Sequence, residues 1–510
     1  MHSPNELPES TATASIATAS AATASAATAT AATASAATAS AATASPDEAR
    51  HNVWRDLRDA LRGTHHDYTS GALGRAIFLL AVPMVVEMAM ESIFAVVDVF
   101  FVGRIGAAAV ATVGLTESLM IVIYTLAFGL SIGATATVSR RIGEKDGDGA
   151  GRAAVQVLTL GLLISAVLGL IGAIFAPQLL ALMGADAEVI AIGTGYARWM
   201  LGGSSTAFLL FVVNAVFRGA GDPAVAMRIL IVANSINIVM DPVLIFGLGP
   251  FPELGVTGAA IATTIGRGVG LLMALWMLAR GTGHLAVKRA HLSVEPTTMW
   301  RIARLSGMGT FQVAIGSMSW IGLVRVVSSY GATAMAGYTI AIRLVIFALM
   351  PAFGLGGAAA TMVGQSLGAG KPERAEQAVW TAAKYDVVFL SAIGLIFLAF
   401  TPQIVGLFTH DAAVAAVAVY GLRAISLGFP FFAAGMVLEQ SFNGAGDTWT
   451  PTWLNLFAFW IIQIPLAWFL AGPIGLHERG VFISVTVAYS VLAAASAFLF
   501  RRGKWKSKYV

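Results

Sequence analysis

Between residues 76 and 500 the chain carries twelve apolar runs long enough to cross a bilayer, and this constrains its fold more than any other feature. A membrane-crossing helix needs about 20 apolar residues. The runs fall near 76–102, 113–137, 153–175, 190–217, 224–247, 255–279, 303–328, 335–361, 377–400, 413–441, 449–471 and 478–500. Each is continuous rather than alternating, so the lipid-facing strands of a β-barrel are excluded. Charged residues make up 11% of the chain. Ordinary soluble domains carry roughly 25%, so a soluble globular enzyme is excluded as well. The absence of cysteine removes disulfides, cysteine-ligated metals and thiol nucleophiles.

The expected fold is therefore all-α and polytopic, with twelve transmembrane helices. Positive charge decides its orientation. One set of connections carries Arg140, Arg141, Lys145 and Arg152, then Arg218, then Arg280, Lys288, Arg289 and Arg301, then Lys371 and Arg374. The tail residues Arg501, Arg502, Lys504, Lys506 and Lys508 lie on the same side, whereas the alternate connections offer only Arg104 and Arg479. The positive-inside rule then puts both termini in the cytoplasm, with the chain in the plasma membrane. The net charge of +4 is explained by this placement, so no nucleic-acid partner is expected.

Residues 1–45 are dominated by an Ala/Thr/Ser repeat without a large apolar face, and a disordered tail is expected there. Over 46–74, Val53, Trp54, Leu57 and Leu61 recur at helical spacing among arginines, which suits either a helix lying on the inner membrane surface or a short solvated helix docked on the protein itself.

The spans are duplicated. Phe442-Asn-Gly-Ala-Gly-Asp447 follows Phe217-Arg-Gly-Ala-Gly-Asp222 by 225 positions. Phe128-Gly-Leu130 and Phe353-Gly-Leu355 repeat that offset, as do Asp186 and Asp411, Arg198 and Arg423, and Gly106-Ala107 and Gly331-Ala332. Six spans per half is an even number, so the halves are parallel repeats related by an axis along the membrane normal. The expected organisation is an N-lobe at 75–280, a cytoplasmic linker at 281–302, a C-lobe at 303–500 and a basic tail at 501–510. The repeated Gly-Ala-Gly-Asp segments read as helix-ending turns rather than phosphate cradles. No P-loop is present, so an ion gradient is the natural energy source.

Ionisable groups inside the hydrocarbon cost about 2.5–3.5 kcal/mol each on insertion scales, which marks them as functional by default. Glu87, Glu91 and Asp98 share one face of the first span. The fifth span carries Asn237 and Asp241 one turn apart, followed by Pro242. Counted from the helix ends, Asp98, Asp241 and Tyr196 lie at nearly one level, with Asn237 a turn deeper. Two carboxylates facing each other in low dielectric call for a proton or a sodium ion between them. The alternative is a pair of unrelated helix-end carboxylates that snorkel. The duplicate positions of Asp98, Asn237 and Asp241 are Leu323, Ile462 and Leu466, all apolar, so one half alone carries this chemistry. Asn214 has a polar counterpart in Glu439, which could charge the C-lobe wall or occupy a paired, helix-end position. Arg267 and Arg343 are expected to pair with carboxylates or reach cavity water.

Over roughly residues 70–500 the chain resembles the multidrug and toxic compound extrusion (MATE) family of the multidrug/oligosaccharidyl-lipid/polysaccharide exporter superfamily. The residues that carry the resemblance are Pro83, Val97-Asp98 before Gly103-Arg104, Asn214 ahead of Phe-Arg-Gly-Ala-Gly-Asp, and Asn237-Ile-Val-Met-Asp241-Pro242. The resemblance implies two six-helix lobes forming a V, with drug expelled in exchange for H⁺ or Na⁺. It places Asp98, Asn237, Asp241 and Tyr196 at an N-lobe cation or proton site, and Asn214 and Glu91 toward the substrate cavity. If Na⁺ is the coupling ion, Asp98, Asn237 and Asp241 would be its ligands. Residues 303–328 lack the acid that other branches place in the seventh span, and Gln312 is the nearest polar stand-in. Glu87, Glu439 and Gln312 complete the expected cavity set.

The leading functional reading is secondary active antiport of amphipathic, mostly cationic drugs or toxic metabolites, by a monomer without a cofactor. The rival reading is a lipid-linked oligosaccharide flippase of the same superfamily. An intramembrane enzyme would need a catalytic constellation; no His-x-x-x-His pair or recognisable protease motif is present.

Overall fold

The computed structural model describes residues 53–63, 66–281 and 283–509. The tail expected over 1–45, with the few residues that follow it, lies outside them. Packing divides the chain into a unit through Asp56 and a unit from Leu57 to Val510. Of the first, only the opening turn of α1 (Val53–Arg62) is described, with Val53 and Trp54 exposed. All that follows concerns the second unit.

Its first half comprises α2 (Leu73–Gly103), α3 (Ala107–Gly143), α4 (Gly147–Leu182), a fourth span built from α5 (Ala187–Gly202) and α6 (Ser204–Ala220), then α7 (Pro223–Phe246) and α8 (Val256–Arg280). The second half comprises α9 (Pro296–Ser328), α10 (Ala332–Gly368), α11 (Pro372–Gly406), the pair α12 (Ala412–Ser426) and α13 (Phe429–Gly444), α14 (Trp449–Asn455), α15 (Ile464–Ala471) and α16 (Glu478–Arg501). A π-helical stretch, Leu456–Gln463, joins α14 to α15 in one span. Among the described residues eleven helices are long and apolar enough to cross a membrane, and the pair α12 and α13, bent by 55°, brings the spans to twelve.

The duplication is visible in the helix ends. Both boundaries of α10 fall 225 positions after those of α3. Asp186 and Asp411, matched in the repeat, both cap a helix: Asp186 accepts from Val189 N at 2.8 Å, and Asp411 from Ala413 N at 2.8 Å. Each replaces a hydrogen bond that the first helical turn cannot make internally. In the Gly-Ala-Gly-Asp turns, Gly221 and Gly446 adopt φ of 89° and 81°, the left-handed conformation that ends a helix.

Several helices outrun the apolar segments. α9 starts at Pro296 rather than near 303, α10 continues to Gly368 rather than 361, and α11 begins at Pro372 rather than 377. Backbone hydrogen bonding continues past the hydrocarbon, and Arg301 and Arg374 extend from these polar turns. Arg218, counted among the connections, corrects more sharply. It lies in the last turn of α6 and its side chain turns inward.

The halves meet at the end where α2 begins and α16 ends. α3 packs on α9, and the repeat-related α10 packs on α2. Glycine makes this seam possible. A Cβ on Gly143 would collide with the carbonyl of Gln365, and one on its duplicate Gly368 with the carbonyl of Arg140. Gly129 faces Thr310, Gly133 faces Ser306, and Gly354 lies against Val85. All these approaches fall in the half of each span nearer the start of α2 and the end of α16. Among the described residues no glycine at the far end touches the opposite half.

Short strands of chain bind over the seam. Arg374 donates to the carbonyls of Tyr68, Ser70 and Gly71 at 3.1, 2.6 and 2.9 Å, holding the strap before α2. Gln365 of α10 donates to the Gly219 carbonyl at 3.2 Å. The C-terminal strand folds back, with Trp505 buried and stacked on Phe500, and the Lys508 carbonyl accepts from Arg140 of α3 at 2.9 Å. The turn acids serve as anchors for the chain leaving each half. Asp222 accepts from His284 N at 2.5 Å and lies 2.7 Å from its Nδ1, while Asp447 meets Lys508 Nζ at 3.4 Å.

The bond to Asp222 holds the His284 imidazolium above its usual 6.5, against an opposing desolvation. A raised pKa in the folded state stabilises below the unfolded value and is lost as pH rises through the raised one. Thermal unfolding in detergent should therefore occur at lower temperature as pH climbs through that range, and His284→Gln should flatten the slope. An unchanged slope in the variant would remove His284 as its source.

Candidate functional site in the first half

Four spans bring their polar side chains together at the far end of the first half. Asp98 comes from α2, Tyr196 from α5, Asn237 and Asp241 from α7, and Thr263 from α8. Glycine again sets the spacing. A Cβ on Gly266 of α8 would lie 2.6 Å from the Ala233 carbonyl and 3.2 Å from the Asn237 Cβ, so α7 and α8 close up where Asn237 projects.

Asp241 is fully buried, Asn237 is 2% exposed and Asp98 8% exposed. The Asn237 amide lies between Asp241 Oδ2 at 3.0 Å and Thr263 Oγ1 at 2.9 Å. The orientation that donates to the carboxylate and accepts from the hydroxyl satisfies both groups. Oδ1 of Asp98 and Oδ1 of Asp241 are each buried without a hydrogen-bond partner. The charges of the two acids act on each other, and both act on the buried Tyr196 phenol. Two carboxylate oxygens are thus left without a donor in a low-dielectric pocket, and the one cation whose charge acts on Asp98, Arg267, is already paired with Glu91. Such an arrangement can take up a proton or a small monovalent cation. Among the described residues no three His, Cys, Asp or Glu side chains gather as a metal site; the donor set here is two carboxylates, an amide and hydroxyls.

The other acids of α2 are in a different state. Glu87 pairs with Arg218 Nη1 at 2.5 Å beside Asn214, and Glu91 pairs with Arg267 Nη2 at 2.6 Å. The expected shared face exists, but two of its three carboxylates are already neutralised. Arg267 thus meets the expectation that it would pair with a carboxylate.

In the second half, Glu439 accepts from Gln312 Nε2 at 2.5 Å and from Asn455 Nδ2 at 2.7 Å. Glu87 and Gln312 are repeat mates, and so are Asn214 and Glu439. Each half therefore sets one carboxylate beside one amide between its first and fourth spans, with the helices exchanged. Glu439 has the amides of Gln312 and Asn455 where Glu87 has a guanidinium, and Asn443, the mate of Arg218, donates instead to Gln440 Oε1 at 3.2 Å.

Three groups escaped the sequence reading. Glu117 of α3 acts on Asp98 and Tyr196, and Arg343 of α10 acts on Glu117 from the opposite half. Asn455 was hidden at the start of its span. Asp386 is wholly buried in α11 with neither carboxylate oxygen hydrogen-bonded. An acid inside each apolar run was the available signal for Glu117 and Asp386.

Two six-span repeats closed at one end, with a pair of buried carboxylates in the first whose mates in the second are apolar, define a polytopic membrane transporter rather than an enzyme. The MatE family model matches residues 83–243 and 310–469, and the chain belongs to the MatE family. The two matched stretches are themselves displaced by nearly the repeat offset. The chain is 27% identical over 441 residues to the "Probable multidrug resistance protein YoeA" of Bacillus subtilis, covering 86% of this chain and 95% of that protein. It is 24% identical over 439 residues to the "FAD transporter" of Shewanella oneidensis, covering 86% and 96%. A structure described as the outward-facing conformation of a multidrug resistance MATE family transporter superposes with a TM-score of 0.80 at 26% identity, covering 85% of this chain and 96% of that one. Relatives named for multidrug resistance and export support multidrug efflux transport as the function of this chain.

Proposed function

We propose that the chain exports amphipathic, mostly cationic compounds in exchange for H⁺ or Na⁺ bound at Asp98, Asn237, Asp241 and Tyr196. The observation that carries this reading is the pair of buried carboxylates with orphaned oxygens, set against Leu323, Ile462 and Leu466 at the same positions of the other half. A structural requirement of the fold would have kept acids in both. The lobes are taken as 75–280 and 303–500, joined through 281–302, and Glu91, Asn214, Glu87, Glu439 and Gln312 as the polar part of the substrate cavity.

The arginine- and lysine-rich end is the cytoplasmic one by the positive-inside rule, with the chain in the plasma membrane. The glycine seam then closes the cytoplasmic end, and the cavity opens outward. In this state the pair takes a cation from outside while drug leaves. Parting of the seam exposes the pair to the cytoplasm, where the cation departs and drug binds. Drug and coupling ion oppose each other through one shared free energy, so each weakens the other by the same factor. Glu87 and Glu91, held by Arg218 and Arg267, shape the wall without adding net charge.

The test is transport of a fluorescent organic cation in proteoliposomes under separately imposed pH and Na⁺ gradients. Export driven by one gradient and not the other names the ion. Export under neither gradient would reject antiport. Flavin adenine dinucleotide and a lipid-linked sugar as alternative cargo test the readings suggested by the Shewanella relative and by the flippase rival.

A further inference from the structure

A groove of about 670 Å³ runs between α12 and α16 at the far end of the second half. Val419, Leu427, Ile483 and Val487 give it apolar walls. Its polar groups are Arg423, Arg479 and Tyr420, with the Arg479 guanidinium carbon 5.1 Å from the Tyr420 ring centroid. The core-facing residues of the same helices, Leu422, Ile425, Phe482 and Val485, are fully buried, so the groove opens on the periphery of the lobe.

Both arginines are exposed, and among the described residues neither has a carboxylate within ion-pairing distance. Arg479 is the second residue of α16, at the membrane boundary. Arg423 lies eleven residues into α12, about 16 Å along the helix at 1.5 Å per residue. A guanidinium at that depth, facing lipid without a counter-ion, is costly. The planar donor fork of arginine suits phosphate oxygens.

The first half supplies an internal control. The mates of Tyr420 and Leu427 are Gly195 and Gly202, and the mate of Arg479 is Leu254. A Cβ on Gly195 would lie 2.7 Å from Thr257 Oγ1 of α8, so α5 and α8 close up at this level. By contrast, α12 and α16 touch through the Thr486 hydroxyl, which donates to the Ala424 carbonyl at 2.9 Å, and leave the groove beside that contact. In the second half Tyr420 and Leu427 replace the two glycines and Arg479 replaces an apolar residue, whereas Arg423 keeps the arginine of its mate Arg198. The second half alone therefore sets two cations beside these apolar walls.

We infer that this groove is a binding site for an anionic phospholipid, its phosphate on Arg479 and Arg423 and an acyl chain along the apolar walls. Free phosphate would satisfy the arginines but leave those walls unused. The inference rests on the membrane-spanning fold and is independent of the coupling ion.

Native mass spectrometry of the purified full chain, with dioleoyl-phosphatidylglycerol, dioleoyl-phosphatidylcholine or potassium phosphate added, tests it. Wild type should bind the glycerol lipid about tenfold more tightly than the choline lipid, a difference of about 1.4 kcal/mol. Arg423→Gln with Arg479→Gln should equalise the two lipids. Ala416→Trp, which fills the groove and keeps both arginines, should weaken phosphatidylglycerol binding and decides the matter if the double variant fails to fold. Equal lipid binding by wild type, or a preference that survives Ala416→Trp, would overturn the site. Phosphate binding as tight as lipid binding and insensitive to Ala416→Trp would replace it with a free-anion site.

Discussion

Asp98→Asn and Asp241→Asn should each insert and fold but lose gradient-driven export. Each substitution keeps the shape of the side chain and removes one of two charges that act on each other, each with an oxygen that lacks a hydrogen-bond partner. Coupling between two ligands of one protein is typically worth about 1–3 kcal/mol, so the driving gradient should lose roughly 5–150-fold of its effect on drug binding. The wild-type protein should release protons, or Na⁺, when drug is added, and either variant should release markedly less. Leu323→Met and Leu466→Met, at the duplicate positions, keep volume and polarity nearly constant and should export normally. Undiminished coupled export by both Asp variants would move the coupling site elsewhere, with Glu439 the first group to test.

Gly143→Val and Gly368→Val should prevent closure of the terminal end. The new side chain would occupy the space of the Gln365 carbonyl in the first case and of the Arg140 carbonyl in the second. Backbone cannot yield as a flexible side chain can, so α3 and α10 must separate. The chain has no cysteine, which makes Ser139→Cys a clean reporter: Ser139 is fully buried in the seam. A thiol reagent applied from the terminal side should label it slowly in the parent and several-fold faster with either valine present. Transport should fall in parallel, because the cycle proposed above needs a state with the seam shut. Unchanged labelling together with normal export would show that the seam can reform around a side chain.

Much of this was legible in the sequence because the relevant forces are local or repeated. Apolar runs identify spans whatever their neighbours, and the 225-residue offset aligns α3 with α10 at both ends. Asp98 and Asp241 stood out because each costs free energy within an apolar run. What could not be read were pairings between distant segments. Arg218 sits beside a turn and resembles a loop charge, yet its guanidinium crosses to Glu87, 131 positions earlier. Glu87 and Glu91 look like open acids until Arg218 and Arg267 are placed beside them. Gln312 suggested a stand-in for a missing acid, whereas Asn455 joined it on Glu439 only through the packing of α9, α13 and α14.

The seam has a historical consequence. Its two arms, α3 on α9 and α10 on α2, are one surface used twice. A single six-span ancestor could therefore have paired with itself as a homodimer, before gene fusion joined the copies through what is now the linker. In that homodimer every group occurred twice, including both carboxylates of the pair. Fusion freed the copies to diverge: Leu323 and Leu466 stand where one copy has Asp98 and Asp241, and Asn443 stands where it has Arg218. A chain rebuilt from two first halves would carry the carboxylate pair twice, and on the coupling proposed above it would spend twice the gradient on each molecule expelled.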